Sequence, residues 1–137
     1  MSAKPLYSAT QSVTITLASL ADGAGVSSSE IDNSTNRFLD ADLEVDLTGN
    51  DAGESGHVAV YLRRGNDTGD LTTTEAENMT RIGTVKLNGT TAVSSVLRVN
   101  DLPKFYSFHA IMKSSGAFAL GATGNSMAFL GVNIEDV

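Results

Sequence analysis

The sequence predicts an all-β protein: an antiparallel β-sandwich of jelly-roll type, with about eight strands and an extended N-terminal arm. Three observations predict it. Apolar residues alternate with period two in one run after another, as strands with one buried face require. Clusters rich in Gly, Asn and Asp separate the runs: "ADGAG", "TGNDAGESG", "GNDTGD", "VNDLP" and "GATGN". Hydrophobic residues make up 41% of 137 residues and charged ones 18%, so the chain can bury one real core. The expected organisation is an arm over residues 1–11 and a single sandwich domain over 12–137.

The elements follow in order. Pro5 and its polar surroundings mark residues 1–11 as an arm that either frays or lies on a neighbouring subunit. In "SVTITLASL", Val13, Ile15 and Leu17 alternate with threonines. In "LDADLEVDL", Leu39, Ala41, Leu43, Val45 and Leu47 alternate with Asp40, Asp42, Glu44 and Asp46. "HVAVYLRR" sets Val58, Val60 and Leu62 against Ala59, Tyr61 and Arg63. The loop between these last two runs is short enough for an antiparallel hairpin, which would put Asp42 opposite Arg63. "RIGTVKL" and "AVSSVLRV" are joined by "NGTT", whose Asn88-Gly89 is a hairpin-turn signal. "KFYSFHAIMK" carries apolar groups on both faces, so it is central to the fold or covered by a neighbour. "SMAFLGVNI" closes the set. Residues 71–80 are the one plausible short helix.

Composition removes several functions. There are no cysteines and two histidines, which excludes thiolate metal sites and leaves no room for a multi-His zinc site. The formal net charge is −7 and the basic residues are scattered, which argues against nucleic acid as a partner. The opening residues have no signal-peptide core, and no segment is apolar enough to span a bilayer, so no membrane partner is expected. No nucleophile elbow, Walker loop or zinc-protease helix is present. Asp67 and Asp70 in "GNDTGD" read as a plain turn rather than a calcium loop. Catalytic residues, metal ligands and cofactors are therefore all expected to be none.

The row Asp42, Glu44, Asp46 raises four readings. Carboxylates two apart on a strand stand roughly 6.5–7 Å from one another, which makes a row rather than a cage for a cation. Paired carboxylates can do acid/base work at such spacing, but only in a cleft that raises one pKa. A solvated sheet face is the plainest reading. A face that docks on a basic partner is the next. The candidate interface residues are these three acids, the arm residues Lys4, Pro5, Leu6 and Tyr7, the cross-strand candidate Arg63, and Phe105, His109 and Ile111 of the two-faced run.

The second half also resembles a family. "GHVAVYLRRGNDTGD", Leu102-Pro103-Lys104-Phe105, Ser114-Ser115-Gly116-Ala117 and Gly124-Asn125-Ser126 are similar to segments of small β-sandwich virion proteins of tailed bacteriophages, of the capsid decoration (cement) type. The resemblance spans roughly residues 57–137. It implies a non-enzymatic, oligomeric protein made in the host cytoplasm that binds the major capsid protein on the capsid exterior. A tail or neck accessory, or a receptor- or glycan-binding module, is the alternative. The scarcity of aromatic residues, three Tyr and five Phe with no Trp, counts against a glycan platform.

Overall fold

The computed structural model describes residues 3–136. Among the described residues, nine strands form two antiparallel sheets packed face to face. They are β1 (Ala3–Ser12), β2 (Gly25–Ser27), β3 (Ile31–Asp32), β4 (Asp40–Leu47), β5 (Ser55–Gly65), β6 (Thr80–Asn88), β7 (Val93–Val99), β8 (Phe105–Ser114) and β9 (Ser126–Asp136). Sheet A has the order β1-β9-β4-β7. Sheet B runs β2-β8-β5-β6, with β3 also paired to β8. The all-β sandwich expected from the alternation is the fold observed. The segment expected as an arm is extended and lies along β9 as an edge strand.

The core is where the two alternating faces meet. Leu43, Val45 and Leu47 of β4 face Val58, Val60 and Leu62 of β5 across the sandwich, and none is more than 1% exposed. Their even-numbered β4 neighbours point to solvent, so a one-residue slip would bury four carboxylates. Tyr106, Phe108 and Phe129 fill the centre in edge-on and tilted contacts, with centroids 5.5–6.4 Å apart.

Strand pairing differs from the expectation at three places. β4 and β5 do not form a hairpin. They lie in opposite sheets, so the 48–54 loop is a corner between layers. Both strands are amphipathic, and stacking their apolar faces buries them as fully as lying side by side with a shared cover. Asn88-Gly89 does turn the chain, with Gly89 at φ 61°, but β6 and β7 also go to different sheets. Residues 13–17 are not a strand: the segment leaves sheet A with Val13 N–H bonded to the Met127 carbonyl, and Thr14 then accepts from Ser29 N–H. Val13, Leu17 and Leu20 are nevertheless buried, because alternation needs an extended chain and not a ladder. The helix expected within 71–80 is a single 3₁₀ turn at Ala76–Asn78.

The corner after β4 has no room to spare. A Cβ on Gly49 would collide with the Phe118 ring and the Gly89 carbonyl oxygen. Backbone cannot swing aside as a flexible side chain does. Gly49→Ala is therefore expected to cost about 1–3 kcal/mol of stability, read as a lower urea midpoint with an unchanged m-value.

Candidate functional site on the outer face of sheet A

Antiparallel pairing places directly opposed residues on one side, so the register builds the outer face in rows. Tyr7, Val132 and Asp40 form one row. Thr10, Leu130, Asp42 and Arg98 form the next, and Ser12, Ala128, Glu44 and Val96 the one after. The result is an aliphatic stripe down β9, flanked by an exposed tyrosine on one side and a charged row on the other. Tyr7 is 53% exposed, while Val132 beneath its neighbours is only 4% exposed.

The charged row is held in place by Arg98. Its guanidinium donates to Asp42 at 3.0 Å and to Asp40 at 3.3 Å. Asp40 also accepts from the Asp101 backbone N–H at 3.0 Å. The hydrogen bond to Asp42, reinforced by the charges of Asp42 and Asp40 and by the nearby Tyr7 phenol, raises the Arg98 pKa against a smaller opposing effect of burial. Exposed pairs of this kind add little stability, so their chief effect is to fix where the donors and acceptors point. Glu44 and Asp46 differ in having each other as neighbours. The bond that a protonated Glu44 carboxyl donates to the Asp46 carboxylate, the repulsion of that charge and a smaller effect of burial raise the Glu44 pKa. Two shallow hollows lie on this face. One, of about 310 Å³, is lined by Lys4, Pro5, Asp40, Arg98 and Val132, among others; the second lies between Thr10, Asp42, Glu44 and Leu130. Among the described residues, no three His, Asp or Glu groups converge as metal ligands.

The opposite, outer face of sheet B holds the other candidates. Arg63 is not a partner of Asp42. It donates twice to the Thr72 carbonyl, at 2.9 and 2.7 Å, and once to the Ser27 hydroxyl at 3.2 Å. The expected Asp42–Arg63 pair fails because β4 and β5 belong to different sheets. Arg98 on β7 takes that place. Ser27 bonds the His109 Nδ1 at 2.7 Å. The hydroxyl also accepts from Arg63, and its bond to Nδ1 runs in the direction that the imidazole tautomer sets, accepting from Nδ1–H or donating to the form protonated on Nε2. A Cβ on Gly25 would sit 2.6 Å from that nitrogen, so glycine is what lets β2 close over the ring. Phe105 is buried under the same face, and Ile111 stays half-buried.

His109 has a consequence for stability. Burial, and then the charge of Arg63, lower its pKa below the ordinary 6.5. The unfolded chain therefore takes up a proton before the folded one does. The neutral state's stabilisation is complete above about pH 6.5 and is lost as pH falls toward the lower folded value. Denaturation at pH 7.5 and 5.5 should show the wild type weaker at 5.5. His109→Gln should flatten that difference.

The expected interface residues thus divide. Pro5, Tyr7, Asp42, Glu44 and Asp46 share sheet A's outer face, and Lys4 lines the hollow at its edge. Leu6 follows on the same edge strand, half exposed and opposite Asn133. Arg63, Phe105, His109 and Ile111 lie on sheet B, across the core. Arg98 and Asp40 were not among them, although the alternation in "AVSSVLRV" that buries Val99 already sends Arg98 to the wet side.

No family model matches the sequence, and comparison with curated proteins gives no match. Solved structures do match in fold over nearly the whole chain. The CBM36-1 domain of a multidomain xylanase from the hindgut metagenome of Trinervitermes trinervoides aligns at TM-score 0.52 and 10% identity, over 99% of this chain and 100% of that one. The C-terminal CBM6 of a marine laminarinase from Zobellia galactanivorans aligns at TM-score 0.50 and 12% identity, over 93% and 98%. These are carbohydrate-binding modules, and what the chain shares with them at such identities is the sandwich itself.

This likeness overturns the resemblance to phage virion proteins, and with it the capsid decoration (cement) role. The reason is visible in the segments that suggested it. Leu102-Pro103 is the loop before β8. Ser115-Gly116 follows β8, with Gly116 at φ 117°, and Gly124-Asn125 precedes β9, with Gly124 at φ 83°. Such pieces are turn chemistry that any antiparallel sandwich needs.

Proposed function

We propose that this chain is a non-catalytic carbohydrate-binding module, and that sheet A's outer face holds the sugar. The observation that carries the reading is the end-to-end likeness of fold to two carbohydrate-binding modules. The face supplies suitable chemistry. A pyranose has an apolar C–H side and a rim of hydroxyls. Tyr7 and Leu130 offer the first a surface, and Asp40, Asp42 and Arg98 offer the second fixed acceptors and donors. The scarcity of aromatics is less of an obstacle than composition implies, because the fold leaves one tyrosine half exposed beside that polar row. The raised Glu44 pKa stands on an open surface and comes chiefly from Asp46, two residues along the same strand rather than across a cleft.

The test is affinity electrophoresis through gels containing neutral polysaccharides, xylan and laminarin among them. Retardation by at least one, weakened in Tyr7→Ala, is expected. Free migration through the whole panel would remove the reading.

A further inference from the structure

The outer face of sheet B carries a second feature, separate from the sugar face described above. Register places Lys86 of β6, His57 of β5 and Lys113 of β8 side by side on three adjacent strands. Both lysines are exposed, and among the described residues none of the three forms an ion pair. Strand spacing sets the row at about 10 Å from end to end. The next row along the strands is Thr84, Ala59 and Ile111. Beyond it come Arg81, Tyr61 and His109, with the Arg81 guanidinium 5.9 Å from the Tyr61 ring centre. No outward position of β2, β5, β6 or β8 holds an Asp or Glu; Asp32, on β3, sits opposite Phe105 at the far end. Two acids sit in loops just beyond the row's own end: Glu54 accepts from the Ser115 hydroxyl and Asp22 from the Ser114 backbone N–H.

In a chain of net charge −7, a face cleared of carboxylates calls for an explanation. The loop that ties down Arg63 closes one end of this face, and the Lys86–His57–Lys113 end stays open. We infer that the row Lys86, His57, Lys113 is a binding surface for an anionic polysaccharide, one whose sugars carry uronate carboxylates or sulfate esters. The ammonium groups meet the anionic substituents, and Ile111 and Thr84 lie under the adjoining sugar ring. The choice of a sugar polymer rests on the carbohydrate-binding reading above. Single-stranded nucleic acid is disfavoured, because the one Phe, Tyr or Trp ring on these rows, Tyr61, is buried and unable to stack on a base.

The experiment is affinity electrophoresis and titration calorimetry with polygalacturonate and dextran sulfate, against neutral dextran and duplex DNA, at low and high salt. Binding to at least one anionic polysaccharide is expected, with none to dextran and weakening in high salt. The polygalacturonate and dextran sulfate arms tell carboxylate from sulfate. Lys86→Ala with Lys113→Ala should reduce affinity roughly tenfold. It should leave retardation by neutral glycans unchanged, while Tyr7→Ala should do the reverse. A wild type that ignores both anionic polymers overturns the inference, as does a double variant that binds them undiminished or DNA bound as tightly as they are. Failure of the neutral-glycan gels alone strikes only the sheet A site.

Discussion

Phe108→Ala is expected to lower the free energy of unfolding by about 3–5 kcal/mol. The ring is fully buried on the central strand of sheet B. Its centroid lies 5.5 Å from that of Tyr106 on its own strand and 6.4 Å from that of Phe129, which comes from sheet A. Truncation thus removes one ring of a three-ring contact that joins the two layers. The backbone on either side is fixed by ladders to β2 and β5, so the space cannot close. Phe108→Leu keeps most of the volume and is expected to cost less than half as much. Equilibrium denaturation in urea separates the two. Equal midpoints for both variants would show that the layers are not held by this cluster.

Tyr7→Ala is expected to weaken neutral-glycan binding by about 2 kcal/mol, roughly thirtyfold, as truncation of an aromatic anchor does. Stability should hardly change, since the ring is half exposed at a sheet edge. Tyr7→Phe keeps the stacking surface and loses the phenol beside Arg98, so it should fall between the two. Arg98→Ala addresses the polar half of the site. It frees Asp40 and Asp42, whose pairing stabilises an exposed surface by at most about 1 kcal/mol, so an affinity loss larger than the stability loss marks a binding role. If Tyr7→Ala leaves a demonstrated glycan affinity intact, the site lies elsewhere on the sandwich.

The acidic strand shows how far the residues themselves reach. Its alternation placed Leu43, Val45 and Leu47 inward and the carboxylates outward, and the structure agrees. Its partner was another matter. Arg63 and Arg98 each sit on an alternating strand that points them outward, and nothing local distinguishes them. The candidate site was legible in part for the same reason. Tyr7 and the acids were visible one strand at a time, but β1 and β4 share a face only because β9, from the far end of the sequence, pairs with both.

What the sequence determined by itself was the extended conformation, the core-facing residues of the alternating runs, and the turn positions at Gly69, Gly89 and Gly124. Each depends on a residue and its near neighbours: period-two burial, or a backbone angle glycine adopts freely. What only the tertiary structure decided was which strands pair, and so which side chains share a surface. β4 beside β5 and β4 across from β5 bury the same apolar atoms, so alternation is blind to the choice. Contacts between distant segments, β9 with β1 and β4 and β8 with β2 and β5, make it, and with it come an acidic face and a basic one on opposite sides of one core.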